Sequence, residues 1–254
     1  MEFNRLLSQA ISFYGEAKEI GNTSKIKEKK ISKINTKNYA SITDEKNLNL
    51  WIKILNEQSI ISVDTETSSL NPLEAELVGI SFSYAPNKAC YIPIAHKNIK
   101  CLKKELVLEK IKKILEDPSI KKVGQNIKFD FIILKQNGIE ISSIEDTMLV
   151  SYTLDAGRNR HNLDTLSEIH LNHKTISYKD LVGSGKNKLN FSDIKLDQAT
   201  EYAAEDADVT LRLYNFLKKR LDEEKLNKTY EAFEKPMIKL LSTLEYNGIK
   251  VDAT

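Results

Sequence analysis

Two carboxylates two positions apart close an apolar run. In "IISVDTETSSL", residues 60–70, Ile60, Ile61 and Val63 suit a buried strand, whereas Asp64 and Glu66 do not. Side chains on a strand alternate, so Asp64 and Glu66 share a face. Like charges that close repel unless a cation or solvent relieves them; an isolated D-x-E also suits an edge pair neutralised by lysines. A second stretch, "VGQNIKFDF" at residues 123–131, holds Asp130 among Phe129, Phe131, Ile132 and Ile133. Asp130 falls one turn into an expected helix, which Asn126 is placed to cap. Its bland reading is a first-turn acid facing the helix dipole. A third, "EYAAEDADVTLRLY" at residues 201–214, sets Tyr202 and Asp206 four apart, on one helical face. Asp208 points about 200° away from Asp206. Ala203, Ala204 and Ala207 would let something approach that helix closely. Four acids can hold two hard divalent cations, which take oxygen ligands. Two such ions about 3.5–4 Å apart serve phosphodiester cleavage.

The elements that must position these groups follow an α/β pattern. Strands are expected near 39–43, 59–66, 75–84, 88–96 and 121–126, the second to fourth forming an antiparallel meander with a turn at Pro86-Asn87. Helices are expected at 44–57, opened by Thr43 or Asp44, at 102–117, stopped by Pro118, and at 127–138, closed by Gly138. Beyond these the pattern is helical over 144–155, 162–171, 197–224 and 228–248, with Pro236 expected to kink the last. The fold class is therefore α/β, a mixed sheet flanked by helices. Helical spacing of Leu6, Leu7, Ile11 and Tyr14 precedes a stretch at 23–37 with six lysines against one glutamate, read as a solvated tether. The loop at 183–190, "GSGKNKLN", reads as basic and flexible.

Composition permits a real core: 41% of the 254 residues are apolar and 29% charged. A net charge of +2 does not by itself announce a nucleic-acid binder. Cys90 and Cys101 lack metal-ligand spacing and suit free thiols in a reducing cytosol. No apolar run is long enough to span a bilayer, and the N-terminus is not a signal peptide, so a cytoplasmic chain is expected. His170 and His173 suit surface or hinge positions better than a zinc site, with no cysteine nearby.

Taken together, "DTET", "NIKFD" and "YAAED" resemble the three motifs of the DEDDy 3′–5′ exonucleases, which have a ribonuclease-H-like fold. The likeness is closest to the proofreading domains of bacterial family A DNA polymerases, and "CYIPIAH", "VGQN", "DTMLVSYTL" and "HKTI" extend it over about residues 39–225. "MEFNRLL" resembles the end of such a polymerase's 5′-nuclease domain, and the segment from 226 to 254 resembles the opening of its polymerase domain. The resemblance implies three sections, 1–38, 39–225 and 226–254.

It implies also two Mg²⁺ ions, for which Mn²⁺ or Zn²⁺ could substitute. Asp64, Glu66 and Asp206 would hold the first ion, with Asp64 bridging to a second that Asp130 helps to position. Tyr202 would aim the attacking water, releasing nucleoside 5′-monophosphates from a single-stranded DNA 3′ end. Leu70 would wedge against the terminal base, and Tyr178, where the family often has phenylalanine, would stack on a base. Gln125 and Asn126 would contact the strand and Arg160 its phosphates, although "DAGRNRHN" departs from the family pattern and Arg158 could serve instead. The expected setting is a monomeric bacterial protein at the nucleoid, covalently joined to 5′-nuclease and polymerase domains, with no membrane partner. Two alternatives stay open: a ribonuclease D-like enzyme trimming RNA, and a catalytically inactive module that docks DNA or braces the polymerase.

Overall fold

The computed structural model describes residues 33–185, 188–248 and 250–251. Two compact units divide the chain, Met1–Lys33 and Ile34–Thr254. The expected N-terminal helix and most of the lysine-rich tether lie outside the described residues.

Six strands form one mixed sheet: β1 (Ala40–Ser41), β2 (Ile60–Thr67), β3 (Leu77–Ala85), β4 (Lys88–Pro93), β5 (Lys121–Gly124) and β6 (Ile144–Asp146), in the order β1-β4-β3-β2-β5-β6. The expected meander is present, β2 pairing β3 and β3 pairing β4 antiparallel. Strands β1, β5 and β6 join in parallel to β4, β2 and β5. Pairing of β5 to β2 stops at Ser62↔Val123, two residues before Asp64. One edge of β2 is thus open just where its acids begin.

On one side of the sheet, α1 (Glu45–Asn56), α2 (Lys104–Glu116) and α3 (Lys128–Gln136) share a core with β2, β3 and β4. Asp44 caps α1, its carboxylate accepting the Asn47 N–H at 2.9 Å. Leu48 and Leu55, seven residues apart on α1, are fully buried, each worth roughly 1.5–3 kcal/mol. A second core joins α4 (Thr147–Asp155) and α5 (Leu163–Leu171) to α7 (Leu196–Glu223). A short helix not foreseen, α6 (Tyr178–Val182), precedes α7.

Helix α7, 28 residues long, lies across β2, β3 and β4. Ala203, Ala204 and Ala207 are fully buried, and the Ser62 hydroxyl donates to the Ala207 carbonyl at 2.6 Å. The small side chains thus admit the sheet itself. Asp208 faces away from Asp206, as helical geometry requires, and pairs with Arg212 at 2.9 Å. It also accepts the Tyr39 hydroxyl at 2.8 Å and the Asn87 N–H at 3.1 Å, fastening the sheet's far edge to α7.

One expectation needs correction. The 144–155 segment begins as strand β6, because Ile144–Asp146 completes the parallel ladder on β5 before α4 starts. Pro236 lies, as expected, inside helical backbone that runs unbroken from Asn227 to Asn247: a π-helical turn at Tyr230–Glu234 leads directly into α8 (Lys235–Asn247), with Glu234 and Lys235 both in the right-handed helical region. The irregular turn sits just before the proline, which has no N–H to give the regular ladder.

Candidate active site

Strand β2 and helices α3 and α7 converge at the end of the shortened β5. One oxygen each of Asp64, Glu66 and Asp206 lies within 4.8 Å of the others. Glu66 is buried, and its Oε1 has no hydrogen-bond partner. A buried acceptor left unpaired costs about 1–3 kcal/mol, so this oxygen has a ligand to gain. Hard oxygen donors suit Mg²⁺ or Mn²⁺ rather than a thiophilic metal.

Asp130 stands beside this trio rather than within it. Its Oδ1 accepts the Thr65 N–H at 2.9 Å and the Thr65 hydroxyl at 2.6 Å, on the β2 edge that β5 leaves open. Thr65, between the two acids, was not anticipated in this role.

Burial raises all four carboxyl groups well above their ordinary pKa, and repulsion adds to it. Asp206 acts on Asp64; Asp64, Asp206 and Asp130 act on Glu66; and Asp64 acts on Asp130. On Asp206 the largest charge effect comes from its helical neighbour Glu205. The Tyr202 phenol is raised by burial and by Asp206, Glu66 and Asp64, so it stays protonated beside Asp206.

The acids open into a cleft of about 460 Å³ that Leu70, Gln125, Asn126, Phe129 and Tyr178 also line. Leu70 is 86% exposed and Tyr178 36% exposed, apolar surface that a core would not spare. The Tyr178 ring lies 6.0 Å from that of Tyr202, and Phe191 backs Tyr202 at 5.9 Å. Gln125 is held from behind: its amide donates to the His161 carbonyl at 2.7 Å and accepts the Thr147 hydroxyl at 2.5 Å. Arg160 is exposed and is not among the described residues lining the cleft; Arg158 pairs with Asp155 at 3.2 Å.

Asn126 does not cap α3 with its side chain. It adopts the left-handed conformation, φ 56°, which asparagine tolerates better than most residues. No side chain caps α3; Asp146, at the end of β6, caps α4 by accepting the Met148 N–H at 2.8 Å and also holds the loop before α3, its carboxylate accepting the N–H groups of Asn126 and Ile127 at 3.1 and 3.0 Å. Gly124 is required here, since a Cβ would meet the Ile127 side chain at 2.7 Å. Burial pushes Asp146 up to about 6, against the pull of these donors. Asp146→Ala should therefore cost about 2–4 kcal/mol in urea denaturation, since several buried N–H groups lose their acceptor.

The two histidines have separate partners in the fold. His173 meets buried Glu205 at 2.9 Å, and Glu205 also accepts the Ile176 N–H at 2.6 Å, so the segment leading to Tyr178 is tied to α7. His170 is half-buried against Phe216, ring centroids 5.0 Å apart. Both are thus packed rather than loosely placed at the surface.

With this geometry in hand, residues 39–222 match the family model described as 3′–5′ exonuclease. This chain belongs to the 3′–5′ exonuclease family. Among curated proteins, the exonuclease is 43% identical over 234 residues to DNA polymerase I of Rhizobium leguminosarum, covering 84% of this chain and 23% of that protein. It is 41% identical over 226 residues to DNA polymerase I of Borreliella burgdorferi, covering 87% and 24%. The chain thus spans about a quarter of the length of these relatives. A solved structure described as the POL domain of Pol1 from M. smegmatis with DNA primer-template and dNTP superposes at TM-score 0.67, with 19% identity, over 84% of this chain and 33% of that one. Brucella melitensis NrnC with bound Mg²⁺ gives 0.59, with 24% identity, over 85% and 96%. The RNase D of Trypanosoma brucei gives 0.60, with 15% identity, over 70% and 64%. These structures share its ribonuclease-H-like fold. Among the described residues no helix is long and apolar enough to cross a membrane.

Proposed function

We propose that this exonuclease removes nucleoside 5′-monophosphates from single-stranded or frayed DNA 3′ ends, as the proofreading section of a DNA polymerase I. The observation that carries this reading is the convergence of Asp64, Glu66 and Asp206 around the unpaired Glu66 Oε1, with Asp130 alongside. Asp64, Glu66 and Asp206 would hold one divalent ion, and Asp64 with Asp130 a second. Bound there, such ions would lower the pKa of water and offset charge on the leaving oxygen. The protein's own part is orientation. Tyr202 keeps its proton beside Asp206, where it can position the attacking water. Leu70 would part the terminal base from its neighbour, Tyr178 would stack on a base, and Gln125 and Asn126 would contact the strand; that all four line the cleft supports these roles. Contacts to phosphates and base faces read no sequence, which suits the sampling of frayed mismatches.

Apolar residues Phe233, Met237, Leu240 and Leu244 are exposed on and just before α8, which supports a reading of 226–254 as a segment that docks on a following polymerase domain, with 1–38 as the link from a preceding 5′-nuclease domain. No second copy is needed to complete the site, which supports action as a monomer. A DNA substrate, together with the bacterial source of relatives such as those of Rhizobium leguminosarum and Borreliella burgdorferi, supports a location at the bacterial nucleoid.

The test is release of 3′-labelled nucleotide from single-stranded DNA, with Mg²⁺ and with EDTA, in competition with RNA of the same sequence. Mg²⁺-dependent release that DNA competes better than RNA is expected. Preference for RNA would favour the ribonuclease D-like reading, since the 2′-hydroxyl is the discriminating group; no release would favour an inactive docking module.

A further inference from the structure

Four carboxylates repel a phosphodiester strand, and divalent ions held among them at most cancel that charge. The attraction for substrate must come from another group. Among the described residues lining the cleft, Lys188 is the only cation. It is exposed, and no ion pair engages it among the described residues. Its Nζ lies 5.6 Å from the centroid of the Tyr178 ring, within reach of a cation–π contact. That ring in turn approaches Tyr202. The lysine thus rests on the aromatic face beside which a strand would enter.

We propose that Lys188 is the phosphate anchor of the cleft: it leaves the Tyr178 face as a base arrives there and binds a phosphodiester of the terminal nucleotides. This rests on the reading of the cleft as a single-strand site. An ammonium group suits the task because it acts as a point charge on a flexible stem. Its contribution is to binding, not to bond cleavage.

The salt dependence of binding is a direct readout. Each phosphate neutralised on a single strand adds about 0.7 to the slope of log affinity against log salt. Binding of a fluorescent oligo(dT) by the full chain in EDTA is measured from 25 to 200 mM NaCl for wild type, Lys188→Ala, Lys188→Arg and Lys179→Ala. Lys179 is an exposed lysine of α6 outside the cleft lining. Lys188→Ala should give a slope shallower by about 0.7, so that its affinity deficit is about fourfold larger at 25 mM than at 200 mM. KM should rise with kcat kept within about twofold, as expected when ground-state and transition-state binding fall equally. Lys188→Arg should restore the slope, and Lys179→Ala should leave it unchanged. A Lys188→Ala line parallel to wild type, or an equal change in Lys179→Ala, overturns the anchor while leaving the exonuclease reading intact. Absence of wild-type binding together with absence of Mg²⁺-dependent release would instead overturn that underlying reading.

Discussion

Asp64→Asn should abolish nucleotide release and, in the same variant, raise the melting temperature of the metal-free protein. Asp64, Glu66 and Asp206 crowd within 4.8 Å, where two full charges at an effective dielectric of 20 repel by about 3 kcal/mol. Shared protons relieve part of this, so a gain of about 1–3 kcal/mol is expected. In a domain of this size that is roughly 2–10 °C. The price is function, because the same oxygen is placed to hold an ion: a loss on the order of 10³-fold in rate, about 4 kcal/mol of transition-state stabilisation, is expected. The pH dependence has a definite sign. The raised carboxyl groups bind protons more tightly when folded. Their stabilising contribution is fully present below about pH 4, where the unfolded groups are also protonated. It is lost as pH rises through the raised folded values. Thermal denaturation of wild type and Asp64→Asn at pH 5 and pH 8, in EDTA and in Mn²⁺, checks each part. The variant's advantage should be larger at pH 8 in EDTA and should shrink or reverse in Mn²⁺.

Tyr202→Phe should lower kcat by about 10–100-fold, the scale for removal of one positioned donor at a reacting centre, and leave DNA affinity within about twofold. The ring remains packed between Tyr178 and Phe191 at about 6 Å from each, so the cleft wall is kept and only the hydroxyl beside Asp206 is lost. Single-turnover rates and equilibrium binding in EDTA separate the two quantities. Equal losses in both would show that the hydroxyl serves binding rather than the chemical step.

How much of this site the chain reveals depends on the range of the interactions involved. The sharing of a face by Asp64 and Glu66 follows from strand alternation, and the stacking of Tyr202 on Asp206 from helical spacing; both are local. Asp44 as the cap of α1 is equally local. Asp146 was hidden because its work is done on the loop before α3, which only the β5–β6 pairing brings within reach. The same distance effect misassigned the cap to Asn126, which is next to α3 in sequence but left-handed in conformation. β6, three residues long, is too short to show a period of its own, and helical pattern from α4 overran it. Thr65 is legible only with the register in hand: it is the first N–H beyond the β5 ladder that can meet Asp130. Arg160, exposed and outside the cleft lining, sits in a stretch where no local rule fixes the direction of a side chain.

The most direct test is to locate divalent ions in crystals of the full chain soaked in Mn²⁺ with a nucleoside 5′-monophosphate, using anomalous scattering. The expected result is one ion bound by Asp64, Glu66 and Asp206, with Glu66 Oε1 among its ligands, and a second between Asp64 and Asp130. Crystals in which millimolar Mn²⁺ leaves that trio of carboxylates empty while the nucleotide occupies the cleft would contradict it.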